Sequence, residues 1–217
     1  MKAIVIGATG ATGKFLIEEL IKNNDYTEVV VLVRRKYFES HPKLKEIVID
    51  FNHLANHKND IVGDVAFSVL GTTLKDAGSK EAQWKIDYEY NYQFAQFCAE
   101  NKIPSFVLLS AMGANPTSSI FYNKIKGKLE EVIKKLNFEQ LIIFQPAGLI
   151  RPNSDRFGEN MMVKIVGFFN QFGILKSYQL IHVRDLAKAM IDAKKQYPTG
   201  TNIISLKMII NLIDNNI

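Results

Sequence analysis

Cysteine is nearly absent. Cys98 is the only one in 217 residues, so no intrachain disulfide can form and a reducing compartment is expected. It stands inside YQFAQFCAENK, a helix-like apolar run where a thiol reads as a small buried hydrophobe and not as a nucleophile. Long apolar runs are missing as well. No stretch approaches the roughly eighteen uninterrupted apolar residues of a membrane span. The N-terminal MKAIVIGATG is interrupted at Gly7, too early for a signal peptide. The expectation is a cytoplasmic protein with no membrane partner. Strong charge of one sign is also lacking. The 27 basic and 22 acidic residues leave +5, spread along the chain, with short basic clusters only at Arg34-Arg35-Lys36 and from Lys124 to Lys128. Nucleic acid is therefore not expected as a partner. No repeat, low-complexity tract or Gly/Ser/Pro-rich linker divides the sequence, which is read as a single domain over 1–217.

Short apolar runs alternate with amphipathic stretches. KAIVI (2–6), EVVVLVRR (28–35), EIVIDF (46–51), VAFSVLG (65–71), SFVLLS (105–110) and QLIIFQP (140–146) read as strands. Helical spacing follows the first strand, covers about 80–101, and resumes after Pro116 in TSSIFYNKIKGKLEEVIKKL. This alternation predicts an α/β fold, a doubly wound parallel sheet with helices on both faces. From Arg151 the pattern loosens, with Met161, Met162, Ile165, Phe168, Phe169 and Phe172 on one broad helical face. Residues 151–217 are expected to form a small C-terminal substrate lobe appended to the sheet. The long helices at 80–101 and 117–136 could pair between subunits, but no oligomeric state is fixed by the sequence.

The loop GATGATGKF after the first strand carries three glycines at three-residue spacing and then a lysine. Triphosphate machinery requires G-x-x-x-x-G-K-[ST]. Counting back from Gly13-Lys14, its first glycine falls on Ala8 and its magnesium-binding hydroxyl on Phe15. That motif fails twice. A strand–loop–helix unit whose glycines let backbone amides approach a pyrophosphate fits better. Gly7, Thr9, Gly10, Ala11, Thr12 and Gly13 are the expected phosphate contacts, with Lys14 a solvent-facing residue of the first turn. At the end of the second strand, where an acid usually binds a free ribose 2′-hydroxyl, the chain has Arg34 and Arg35. Arginine there suits the 2′-phosphate of NADP(H), with NAD(H) the less favoured cofactor; the alternative is a pair of arginines capping an exposed strand end.

Tyr122 and Lys126 form a Y-x-x-x-K on one helix face. A tyrosine, with an ordinary pKa of about 10, needs a neighbouring positive charge to exchange protons readily near neutrality; Lys126 supplies it and can also hold the cofactor ribose. Among eight tyrosines one such pair is expected by chance. Its register, however, puts Ser110 at the carboxyl edge of the fifth strand, twelve residues earlier. There its hydroxyl could bind a substrate carbonyl that Tyr122 protonates. No metal site is expected.

GATGATG, LGTTLKDAGSKEA, LLSAMGANPTSSIFYNKIKG and HVRDLA together resemble the atypical short-chain dehydrogenase/reductases, and among them the Tat-interacting oxidoreductase-like NADPH-binding group, over roughly residues 2–195. The resemblance implies a Rossmann fold, NADPH in the glycine loop, and Ser110, Tyr122 and Lys126 as the catalytic triad. It also implies that Asp50 approaches the adenine and that Gly71 and Thr72 line the cofactor path, with Asn91 nearby. Gln145-Pro146-Ala147-Gly148 departs from the Arg-Pro-Gly of relatives. His182 and Asp185 fall in a motif of extended members, or simply mark a strand end followed by an aspartate N-cap. The function expected is an NADPH-dependent oxidoreductase reducing a carbonyl or quinone-like small molecule. The alternative is a non-catalytic NADP(H)-binding redox sensor that regulates a protein partner.

Overall fold

The structure is a computed structural model, described here for residues 1–151 and 179–214. Seven parallel strands form the main sheet in the order β3-β2-β1-β4-β5-β6-β9. They are β1 (Lys2–Ile6), β2 (Glu28–Val33), β3 (Leu44–Val48), β4 (Val65–Ser68), β5 (Ser105–Leu109), β6 (Gln140–Gln145) and β9 (Gly200–Ser205), while β7 (Gly148–Ile150) and β8 (Leu180–His182) pair in a small second sheet. The helices are α1 (Ala11–Lys22), α2 (Leu74–Ala77), α3 (Lys80–Trp84), α4 (Tyr90–Glu100), α5 (Phe121–Lys134), α6 (Val183–Gln196) and α7 (Leu206–Asp214). The chain is a doubly wound α/β Rossmann fold, as its alternating pattern requires.

The continuous apolar strands are buried on both faces because successive side chains alternate sides. Ala3, Val5, Val29 and Val31 pack with α1, α6 and α7 on one side; Ile4, Ile6, Val30 and Leu32 pack with α4 and α5 on the other. Strand order reverses between β1 and β4, which opens the crevice where ligands bind in such sheets.

Several expected boundaries move, each for a local reason. β2 stops at Val33; β3 runs over 44–48 instead of 46–51, and its end comes early because Asp50 turns to cap a 3-10 segment, Phe51–Asp60, its Oδ1 accepting from the Asn52 amide at 2.9 Å. The long helix expected at 80–101 starts at Lys80, with the side chain of its N-cap Ser79 accepting from Ala82 N at 3.1 Å, but it contains a π-helical stretch, Lys85–Glu89. The helix expected from 117 begins at Phe121, since Asn115 and Ser118 side chains bind the amides of Thr117 and Ile120 and hold the preceding loop open. Gly127 sits in mid-helix where a Cβ would lie 2.2 Å from the Asn115 carbonyl carbon, so this loop lies directly on α5.

Of the expected lobe, residues 152–178, including the Met161–Phe172 stripe, lie outside the described residues. Of the remainder, α6 packs on α1, and β9 extends the main sheet beside β6. Among the described residues no helix is long and apolar enough to cross a membrane.

Candidate active site

The glycine loop is shaped by close approach. Gly7 has φ +78° and its Cβ would lie 2.4 Å from Leu70 N, so the loop crosses the exit of β4 at backbone contact. A Cβ on Gly13 would lie 2.1 Å from the Gly7 carbonyl, which fixes α1 against the loop. Gly10, the N-cap of α1, is exposed, caps with no side chain, and is followed by no acidic residue in the first turn. The first amides of α1 and the positive end of its dipole are left for an anion, and the loop fits a dinucleotide pyrophosphate. Thr9 is exposed beside Gly10, and Thr12 is buried at the helix start. Lys14 is half-buried, and its Nζ lies 4.7 Å from the ring centroid of the exposed Tyr37.

Arg34, Arg35 and Lys36 are exposed immediately past β2. Asp50 is exposed past β3, its carboxyl drawn below the usual range by the Asn52 amide and then by His53. Burial raises the Tyr90 phenol, and Asp50 adds to the rise while Arg34 opposes it, which places all three groups within electrostatic reach at this edge. Arg34 and Asp50, both expected at the adenosine end of a dinucleotide, are thus exposed and within reach of Tyr90.

A cavity of about 630 Å³ opens at the carboxyl ends of β4 and β5, and Ser110, Tyr122 and Lys126 line it together with Thr12, Gly71 and Thr72. Leu74, Ile120 and Leu149 supply an apolar wall. The other expected loop residues, with Arg34, Arg35 and Asp50, lie outside this cavity. Tyr122 is 38% exposed, whereas Lys126 is 3% exposed. The Lys126 ammonium donates to the Leu109 carbonyl at 3.3 Å, pairs with Asp87 Oδ1 at 3.7 Å, and lies 5.9 Å from the Tyr122 ring centroid.

Two carboxylates in this region were not picked out in the sequence. Asp87 is fully buried, accepts from the Thr72 amide at 3.2 Å, and would lie 2.9 Å from a Cβ on Gly71. Burial pushes its carboxyl above the usual range, against the pull of Lys126, the Thr72 amide and Gln83. Glu130 accepts from the Ser110 hydroxyl and from Gln145 Nε2 at 2.9 and 3.1 Å, with Lys134 Nζ at 3.8 Å. The Ser110 hydroxyl thus donates to Glu130 Oε1. With that bond made, the Ser110 oxygen keeps acceptor capacity at the cavity it lines. The available signal was spacing: Tyr122, Lys126, Glu130 and Lys134 recur every four residues, one face of α5. Gln145, the departure from the family pattern, turns out to be the residue that engages Glu130.

Asn91 supports the site from behind. It is buried, its Nδ2 lying 2.9, 3.2 and 3.3 Å from the carbonyls of Ile86, Asp87 and Leu70, while its Oδ1 accepts from Ser68. His182 is itself the N-cap of α6, without a side-chain cap, and Asp185 stands in the first turn, so the expected aspartate N-cap is displaced by three residues. Both line a separate hollow of about 370 Å³ with Phe15 and Arg184. Cys98 is buried and its thiol raised well above the ordinary value by desolvation, an inert core residue. Among the described residues no cluster of three or more His, Cys, Asp or Glu is arranged to hold a metal.

A family model described as NAD(P)H-binding matches residues 7–152. Protein HTATIP2 of Rattus norvegicus is 32% identical over 168 residues, covering 75% of this chain and 69% of that protein. The mitochondrial protein FMP52 of Debaryomyces hansenii is 37% identical over 154 residues, covering 69% of this chain and 67% of its own length. Among solved structures, the oxidoreductase ylbE from Lactococcus lactis superposes with a TM-score of 0.71 at 17% identity, over 99% of this chain and 97% of that one. MoeE5, in complex with UDP-glucuronic acid and NAD, gives 0.74 at 16% identity, over 95% of this chain and 76% of that one. At such identities the structures speak for the fold alone, whereas the sequence relatives and the family model speak for descent. The chain belongs to the NAD(P)H-binding family, with HTATIP2 and FMP52 among its relatives, and the resemblance to atypical short-chain dehydrogenase/reductases rests on that membership.

Proposed function

We propose that the chain is an NADPH-dependent reductase of a carbonyl or quinone-like small molecule, with Tyr122 as proton donor. The observation that supports this most directly is the convergence of Tyr122, Lys126 and Ser110 on one cavity beside Thr12 and Gly71-Thr72. Bound NADPH supplies the hydride. Tyr122 protonates the carbonyl oxygen as its carbon takes up that hydride, giving the alcohol, and the phenolate regains its proton from solvent through its exposed edge. The positive charge of Lys126 favours that transient phenolate. Ser110, its own proton turned to Glu130, accepts a hydrogen bond from the hydroxyl so formed. The apolar wall of Leu74, Ile120 and Leu149 suits a substrate with a hydrophobic body.

The test follows NADPH oxidation against a panel of carbonyls and quinones for wild type and Tyr122→Phe. The expected result is turnover of at least one panel member, reduced about a hundredfold or more in Tyr122→Phe. Turnover indifferent to that change removes Tyr122 from the chemistry. NADPH binding without turnover of any panel member favours the redox sensor instead. The cytoplasmic location is part of the same proposal, set against FMP52 relatives that are named mitochondrial; fractionation of cells making a tagged chain decides between the two compartments.

A further inference from the structure

Asp87 is 0% exposed and stands on the π-helical stretch, with its carboxylate against the Gly71 backbone. The groups facing it are Lys126 from α5, the Thr72 amide from the loop after β4, and Gln83 from α3. Buried ion pairs contribute little net stability, since the attraction roughly repays the desolvation of both ions. Here burial outweighs the attraction, because the Asp87 carboxyl is held above its ordinary range despite Lys126. What the pair does fix is a geometry.

That geometry concerns Lys126. An ammonium has three N–H donors. One is directed to the Leu109 carbonyl and one toward Asp87. Leu109 lines the cavity with Lys126, whereas Asp87 is fully buried outside its lining, which leaves the third donor for an acceptor brought by a ligand. A buried ammonium is strongly oriented by a buried carboxylate, whereas a neutral amide would leave the flexible lysine stem free to turn away.

We propose that Asp87 is a positioning residue of the site, fixing Lys126 so that its remaining N–H meets a hydroxyl of bound NADPH. The inference rests on the reading that this cavity takes the reduced nicotinamide cofactor.

The experiment is a double-mutant cycle in NADPH affinity, read by fluorescence titration of the full chain for wild type, Asp87→Asn, Lys126→Met and the double variant. Each single variant is expected to weaken binding about tenfold, the scale of one hydrogen bond to a charged group. Adding Asp87→Asn to Lys126→Met is expected to change affinity less than about threefold, because Asp87 then has no lysine to position. The affinity gap between wild type and Asp87→Asn is also expected to close as pH falls and the Asp87 carboxyl takes up its proton. A purely structural contribution would leave that gap constant with pH. If Lys126→Met weakens NADPH but Asp87→Asn does not, the positioning role is overturned while the cofactor reading survives. If Lys126→Met leaves NADPH affinity unchanged, Lys126 does not meet the cofactor and both fall. Losses that add in full overturn the coupling. Should Asp87→Asn alone fail to fold, the charge-balanced double variant still decides against Lys126→Met: equal affinity supports the role, and a further tenfold loss overturns it.

Discussion

Single residues divide the glycine loop into positions that build it and positions that serve it. Gly13 is fixed by backbone, since a methyl there meets the Gly7 and Ala8 carbonyls at 2.1 and 2.7 Å, whereas the nearest atom to a methyl on Gly10 is the Gly7 carbonyl at 3.2 Å. Gly13→Ala is expected to cost about 3 kcal/mol in urea unfolding and Gly10→Ala about 1 kcal/mol or less; equal losses would mean the loop yields at Gly13. Arg34 and Arg35 are positions that serve. Both are exposed past β2 beside the loop, in the open place where a 2′-phosphate would be gripped by paired hydrogen bonds. Arg34→Ala with Arg35→Ala is expected to weaken NADPH about a hundredfold and NADH less than threefold, each guanidinium–phosphate contact supplying about tenfold. Parallel titrations with the two cofactors decide it, and equal losses for both would make the arginines a capped strand end.

At the scale of elements, the strands and their order were legible because each is a short apolar run that a two-faced sheet demands. The catalytic helix was legible through the four-residue spacing of Tyr122 and Lys126. The depth of a polar residue was not. Asp87 and Glu130 look in sequence like solvated helix positions, among neighbours such as Glu89 and Glu131, and only packing against the sheet shows that they are buried. The π-helical stretch was equally hidden, since an inserted residue changes the helix register without changing the composition. Asn91 bonds to that stretch: its amide donates to the Ile86, Asp87 and Leu70 carbonyls, and its Oδ1 accepts from Ser68 at the end of β4. Asn91→Leu keeps the volume and removes every one of these bonds. The expected outcome is a loss of about 3 kcal/mol, seen as a lower urea midpoint with an unchanged slope. An unchanged midpoint would show that the π-helical stretch stands without Asn91.

For the molecule as a whole, acid and base act on carboxylates of two kinds. Asp50, Glu81 and Glu100 are held below the usual range by hydrogen bonds, chiefly from the Asn52 amide, the Glu81 amide and Lys58 respectively. Their stabilisation is present above the ordinary carboxylate value and lost as pH falls, and at exposed positions it is small. Asp87 runs the other way. Its native carboxyl lies above the ordinary value of 3.8, so the folded chain holds that proton more tightly than the unfolded chain. Its contribution to stability is complete below about pH 4 and diminishes as pH rises, until the native carboxyl has ionised. Asparagine mimics the protonated form at every pH. Wild type and Asp87→Asn are therefore expected to have nearly equal stability near pH 4. The variant should gain on wild type as pH rises, and the difference should level off once Asp87 is ionised in the fold. Thermal unfolding of both chains across pH 4 to 8 measures this directly. A variant that instead loses ground as pH rises would mean that Lys126 outweighs burial. The Asp87–Lys126 pair would then be a net source of stability.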